Sequence, residues 1–137
     1  MDLAERIRAV LALDPEAPAV EFEDRWYSWG EFAQLMKGVD GALSAAGLGE
    51  DAAIGVMLRN RPSLLGAMMS VIASRRCVFT VNAIQGASKL ALELGALRPP
   101  ALVGHADDWA VPGLRDVARE DGASPFRGLR EMLFNAG

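Results

Sequence analysis

Ile54-Gly55-Val56-Met57-Leu58-Arg59-Asn60-Arg61-Pro62, then an apolar run, then Cys77-Val78-Phe79-Thr80-Val81-Asn82: this stretch decides the fold. Ile54 to Leu58 and Cys77 to Val81 show no polar alternation, which suits strands covered on both faces. Between them, Leu64, Leu65, Met68, Met69, Val71 and Ile72 leave little polar face before Ser74-Arg75-Arg76. Pro62 stands where a helix start tolerates a missing amide. Parallel strands need a crossover of a dozen or more residues, usually a helix. The stretch therefore reads as strand, crossover helix, strand.

Downstream, Ser88 reads as the cap of a helix carrying Leu90, Ala91, Leu94 and Leu97, which Pro99-Pro100 stops. Ala101-Leu102-Val103 is a third buried strand. Past Asp107-Asp108 the pattern predicts a helix over Pro112 to Arg119, a break at Gly122-Ala123-Ser124-Pro125, and a short last helix on Phe126, Leu129, Met132 and Leu133. Upstream, Leu3, Ile7, Val10 and Leu11 mark a first amphipathic helix ending before Asp14-Pro15. Ala19 to Phe22 and Trp26 to Ser28 form a hairpin around a turn at Glu23-Asp24-Arg25. Ser28 and Glu31 have capping-box spacing, and a helix with Phe32, Leu35, Met36, Val39 and Leu43 on one stripe runs to Gly47. The expected fold is α/β: a mainly parallel sheet with crossover helices, preceded by a helix and a β-hairpin. Residues 1–123 read as one subdomain and 124–137 as a divergent or truncated tail.

A chain of 137 residues, 51% hydrophobic and 23% charged, fits one globular domain. Its net charge of −4 offers no general attraction to nucleic acid or anionic lipid. Trp26, Trp29 and Trp109 lie among acidic residues rather than along a basic groove. The single Cys77 cannot form an internal disulfide; its place in an apolar strand predicts a buried, inert thiol and a reducing, cytoplasmic setting. Met1 to Arg6 lacks a signal-peptide core, and Leu64 to Ala73 falls short of the roughly 18 apolar residues of a membrane span.

Two boxes carry a resemblance. Tyr27-Ser28-Trp29-Gly30-Glu31-Phe32 resembles the Leu-Thr-Tyr-x-Glu-Leu box that opens a long helix in the adenylate-forming (AMP-binding) enzymes, the acyl-CoA synthetase and ligase superfamily. Ile72 to Asn82 is similar to that family's second box, Leu-Lys-Ala-Gly-Ala-x-Tyr-Val-Pro-Leu-Asn. The strand and the Asn match, while Ser74-Arg75 stands at the family's Ala-Gly and Thr80 at its Pro. Arg75 departs from a glycine, and a residue with a Cβ takes positive φ only at a cost. The resemblance covers roughly residues 3 to 105 and is greatest to fatty-acid and aryl-acid CoA ligases.

The resemblance implies ATP, Mg and CoA: a carboxylate attacks the ATP α-phosphate, then a thiol displaces AMP. That chemistry needs a Ser/Thr/Gly-rich loop ending in Pro-Lys-Gly, whose amides and hydroxyls surround phosphates. It also needs an acidic residue for the ribose and a lysine from a mobile C-terminal domain. The 137 residues contain none of these, no Gly-x-x-x-x-Gly-Lys-Ser/Thr, and no full dinucleotide fingerprint at Gly47-Leu48-Gly49. The expectation is the N-terminal portion of an AMP-dependent acyl-CoA synthetase, with no catalytic residue and no cofactor held by this chain alone. The alternative is a non-enzymatic α/β interaction or dimerisation module, meeting a complementary chain or its own copy through an exposed sheet face.

Ligands of open α/β sheets sit beyond the carboxyl ends of strands. By that rule Arg59, Asn60, Asn82, Gly104 and His105 form one rim, with Asn60, Asn82 and His105 the candidate cofactor-binding residues. Asn60 also reads as the cap of the helix at Pro62, and Asn82 as ordinary loop polarity. His105 is the sole histidine, with Asp107 close by but no Ser or Cys placed with it to complete a catalytic set. Arg59, Arg61, Arg75 and Arg76 are a possible phosphate-holding group, or else solvated positions and intrachain ion pairs. Met68-Met69 reads as helix core, and no residue set has metal-ligand spacing.

Overall fold

A computed structural model describes residues 1–82, 86–97 and 99–104. The helices expected at 112–119 and 126–133, the boundary at 123 and 124, and the tail lie outside the described residues.

α1 (Leu3–Leu13) starts on a capping box in which Asp2 and Glu5 exchange side-chain and backbone bonds. Its inward stripe differs from the expected one. Ala4 is buried and Ile7 and Leu11 half-buried, while Leu3 and Val10 are exposed. The small Ala4 lets the helix sit against α3 (Pro62–Ala73), where Arg8 Nη1 donates to the Ala73 carbonyl at 2.8 Å.

β1 (Pro18–Phe22) and β2 (Arg25–Ser28) form the antiparallel hairpin. The turn is shorter than expected: Phe22 pairs with Arg25, leaving Glu23 and Asp24 at φ 49° and 63°. Positive φ at both central residues matches the strand twist, at a steric cost for residues that carry a Cβ. The Ser28–Glu31 capping box forms as read, and α2 (Trp29–Ala45) follows. α2 ends in a Schellman motif: Gly47 at φ 80° donates to Ser44, and Leu48 donates to Leu43.

β3 (Ala53–Leu58), β4 (Cys77–Asn82) and β5 (Ala101–Val103) form a parallel sheet in the order β4-β3-β5. On one face, Ile54, Val56, Ala101 and Val103 pack with Val39 and Leu43 of α2 and Leu64, Ala67 and Val71 of α3. On the other, Met57, Val81 and Leu102 pack with Leu90 and Leu94 of α4 (Ala87–Leu97). β3 is covered on both faces, as its unbroken apolar run implies. β4 is not. Cys77, Thr80 and Asn82 are exposed, and Val78 and Phe79 half-buried, because among the described residues β4 pairs with β3 alone at the sheet's edge. Cys77 is therefore an exposed thiol rather than a buried one. Ser88 lies inside α4 instead of capping it; Leu90 already donates to the Gly86 carbonyl at 3.0 Å.

Candidate functional site

The sheet order has a consequence for binding. From β3 the chain crosses over α3 to β4, then returns over α4, on the opposite face, to β5 on β3's other side. The carboxyl ends beside β3 and β5 are thus a topological switch point, where ligands of such sheets bind. Leu58 is level with Asn82, and Val56 with Val103. Arg59 and Asn60 after β3, Asn82 at the end of β4 and Gly104 after β5 consequently share one edge, as the sequence implies. Asn60 and Asn82 are exposed and Gly104 is buried. His105, with Trp109, lies outside the described residues.

Beside this edge opens a cleft of about 320 Å³ between the hairpin and the start of α3. Val20 and Phe22 form one wall, Leu64, Leu65 and Met68 the other, and Val56 and Met57 line it from β3; Arg59, Asn60, Arg61 and Pro62 complete the lining. The part played by the hairpin was not legible in the sequence, since no local signal says which helix a hairpin lies beside. Met68, expected in the helix core, is instead half-buried and lines the cleft, outside α3's buried stripe of Leu64, Ala67 and Val71.

The start of α3 corrects another expectation. Its N-cap is Arg61, in an extended conformation and without a side-chain cap bond, so Asn60 does not cap the helix. Instead the Leu64 and Leu65 amides both turn back to the Arg61 carbonyl, at 3.1 and 3.2 Å.

The four arginines of the possible phosphate group are divided between two ends of the sheet. Arg59 and Arg61 flank the cleft at the carboxyl edge. Arg75 and Arg76 precede Cys77, at the amino edge, and hold the structure together. Arg76 is buried: its Nε and Nη2 donate to the Leu48 carbonyl at 2.9 and 2.7 Å, Nη1 to Asp40 at 2.5 Å and Ser74 at 2.7 Å, and Nη2 to Ser44 at 3.0 Å. Arg75 takes φ 62° and ion-pairs with Asp2. The Asp2 carboxyl is held below its ordinary value by the Glu5 amide bond first and the Arg75 guanidinium second. The same pairing raises Arg75.

Among the described residues no group of three or more His, Cys, Asp or Glu side chains converges. No helix among them is long and apolar enough to cross a membrane.

A family model described as "AMP-binding enzyme" matches residues 7–127. Comparison with curated proteins gives no match. Among solved structures, coronafacic acid ligase from Pectobacterium brasiliense is similar with a TM-score of 0.75 at 12% identity, covering 92% of this chain and 24% of the ligase. The anthranilate CoA ligase AuaEII, in complex with anthranoyl-AMP, gives a TM-score of 0.72 at 12% identity with the same coverages, 92% and 24%. A benzoate CoA ligase from Burkholderia xenovorans gives 0.69 at 13% identity, covering 87% of this chain and 24% of that one. The chain thus spans about a quarter of the length of these ligases.

Proposed function

Since this chain belongs to the AMP-binding enzyme family, we propose that it supplies the N-terminal scaffold of an adenylate-forming acid–thiol ligase of the fatty- or aryl-acid CoA type. The family match over residues 7–127 carries the reading. It is supported by a parallel sheet whose switch point lies where such folds place ligands. In the complete reaction a carboxylate and ATP give an acyl-adenylate and pyrophosphate, and a thiol then releases AMP. ATP supplies the activation, and CoA the accepting thiol.

The 137-residue polypeptide by itself does not catalyse, on this reading, because its sequence offers no loop of amides and hydroxyls to surround the phosphates. Magnesium and nucleotide are held by other segments of the ligase. The setting is a reducing cytoplasm, in which the exposed Cys77 stays a thiol. Calorimetry of the chain with ATP, AMP and an acyl-CoA tests the proposal. No heat at micromolar ligand is expected; micromolar nucleotide binding would falsify the division of labour proposed.

Among the described residues β4 pairs with β3 alone, and this favours a second reading, in which the chain works as an interaction module that pairs with a complementary chain or its own copy. Light scattering separates the two, a stable monomer at all concentrations counting against self-association.

A further inference from the structure

We infer that the outward face of α1 docks on the same face of a second copy of this chain, the two helices running antiparallel. Four of the six exposed large hydrophobic side chains among the described residues, Met1, Leu3, Val10 and Leu13, fall in the first thirteen positions. Leu3, Arg6, Val10 and Leu13 recur at steps of three, four and three, the seam spacing of paired helices. At 3.6 residues per turn they share an arc of about 80°. Ala4, Ile7 and Leu11, which face the protein, lie outside that arc. The helix is also held in place: Arg8 donates to the Ala73 carbonyl and Asp2 ion-pairs with Arg75, so docking need not order it first.

A second copy fits this seam because the seam is its own complement. Reversal about Arg8 exchanges Leu3 with Leu13 and Arg6 with Val10. A two-fold axis there sets leucine on leucine at both ends and each Arg6 beside a Val10. Charge selects the direction. A parallel pair would stack the two Arg6 side chains, whereas the antiparallel pair separates them by about 6 Å along the axis. Helical side chains lean toward their own N-terminus, so in the antiparallel pair Arg6 leans toward the C-terminal end of the second copy's α1. That end is capped by Asp14 and has no basic residue in its last turn. The cation thus meets a helix terminus and a carboxylate of opposite sign. With 11 residues, α1 is about 16 Å long, and the contact belongs to the small, reversible class.

The surface is separate from the β4 edge and involves no nucleotide, so its test is independent of both readings above. Sedimentation equilibrium of the full chain, loaded up to about 1 mM, is expected to show monomer and dimer in exchange. Amide shifts on dilution should concentrate at Leu3, Arg6, Val10 and Leu13. Leu13→Lys alters a side chain that is 82% exposed, so the fold is kept, with far-ultraviolet circular dichroism as the check. It should weaken the dimer at least about tenfold, since each dimer loses two buried leucines. Arg6→Glu, which sets like charges together at the helix ends, should weaken it as well. Thr80→Lys, on β4, should leave it unchanged. In a Cys77→Ser background, oxidation of an equimolar mixture of Leu3→Cys and Leu13→Cys chains should favour the mixed disulfide over either like pair. A monomer at every concentration, undiminished association in Leu13→Lys or Arg6→Glu, loss of association in Thr80→Lys, or an excess of like disulfides overturns the proposal.

Discussion

Arg76 keeps 3% of its side-chain surface exposed, and its bonds to Leu48, Ser44 and Asp40 tie the start of β4 to the end of α2. Truncating it strands the Leu48 carbonyl, while Asp40, half-exposed, regains water. Arg76→Ala should therefore cost about 2 to 3 kcal/mol in urea denaturation, and Arg76→Lys should recover less than half of that, because a point charge cannot serve the fork of acceptors. Arg75 is a different case. It completes a Schellman motif, with Arg75 donating to Ile72 and Arg76 to Val71 at 3.1 and 3.0 Å, in the left-handed conformation a glycine would take freely. Relief of that strain should outweigh an exposed ion pair, so Arg75→Gly raises the melting temperature and Arg75→Ala lowers it. The sequence shows the missing glycine; only the structure shows the turn being made without it. The partner, Asp2, sets a pH dependence. Its folded pKa lies below the ordinary carboxylate value, so its contribution is complete well above that value and fades as pH falls through the folded pKa. Between pH 6 and pH 2.5, thermal melts of Asp2→Asn should drop less than those of the parent.

At the scale of elements, α2 and α3 meet where Gly66 removes a side chain. A Cβ there would stand 2.4 Å from Leu35 Cδ2 and 3.2 Å from Phe32 Cδ1. Next to it, Ser70 Oγ donates to the Met36 carbonyl at 2.6 Å, fixing the same contact. Gly66→Ala gains helix propensity yet forces these side chains aside, and a net loss of about 1 kcal/mol is expected from denaturant titration. If the variant is more stable than the parent, Leu35 has room to move and the close approach is not required. Helix and strand identities were legible because periodicity and caps are local: the Ser28–Glu31 box forms both of its bonds. Which residues face inward was less so. In α1 the stripe through Ala4, Ile7 and Leu11 displaces Leu3 and Val10, since docking against α3 decides the face.

For the whole molecule, the sheet separates two cores of unequal size. Among the described residues the apolar cluster on the α2/α3 side has nine buried members and the one on the α4 side five. Amide exchange should accordingly be faster in α4, around Leu90 and Leu94, than in α2 around Val39 and Leu43. Slower exchange in α4 would mean that its small core is not the weaker one. The sequence by itself determined the elements found among the described residues, the parallel core and the family resemblance, because strand-run length and helical period are written in neighbouring residues. It also placed Asn60 and Asn82 on one rim, which follows from parallel strands alone. Only the tertiary structure decided that Arg76 is buried while Cys77 is exposed, that the arginines divide between two edges of the sheet, and that the hairpin closes a cleft over α3. Those outcomes depend on which surfaces meet across long separations in the chain, a matter of packing that no local pattern encodes.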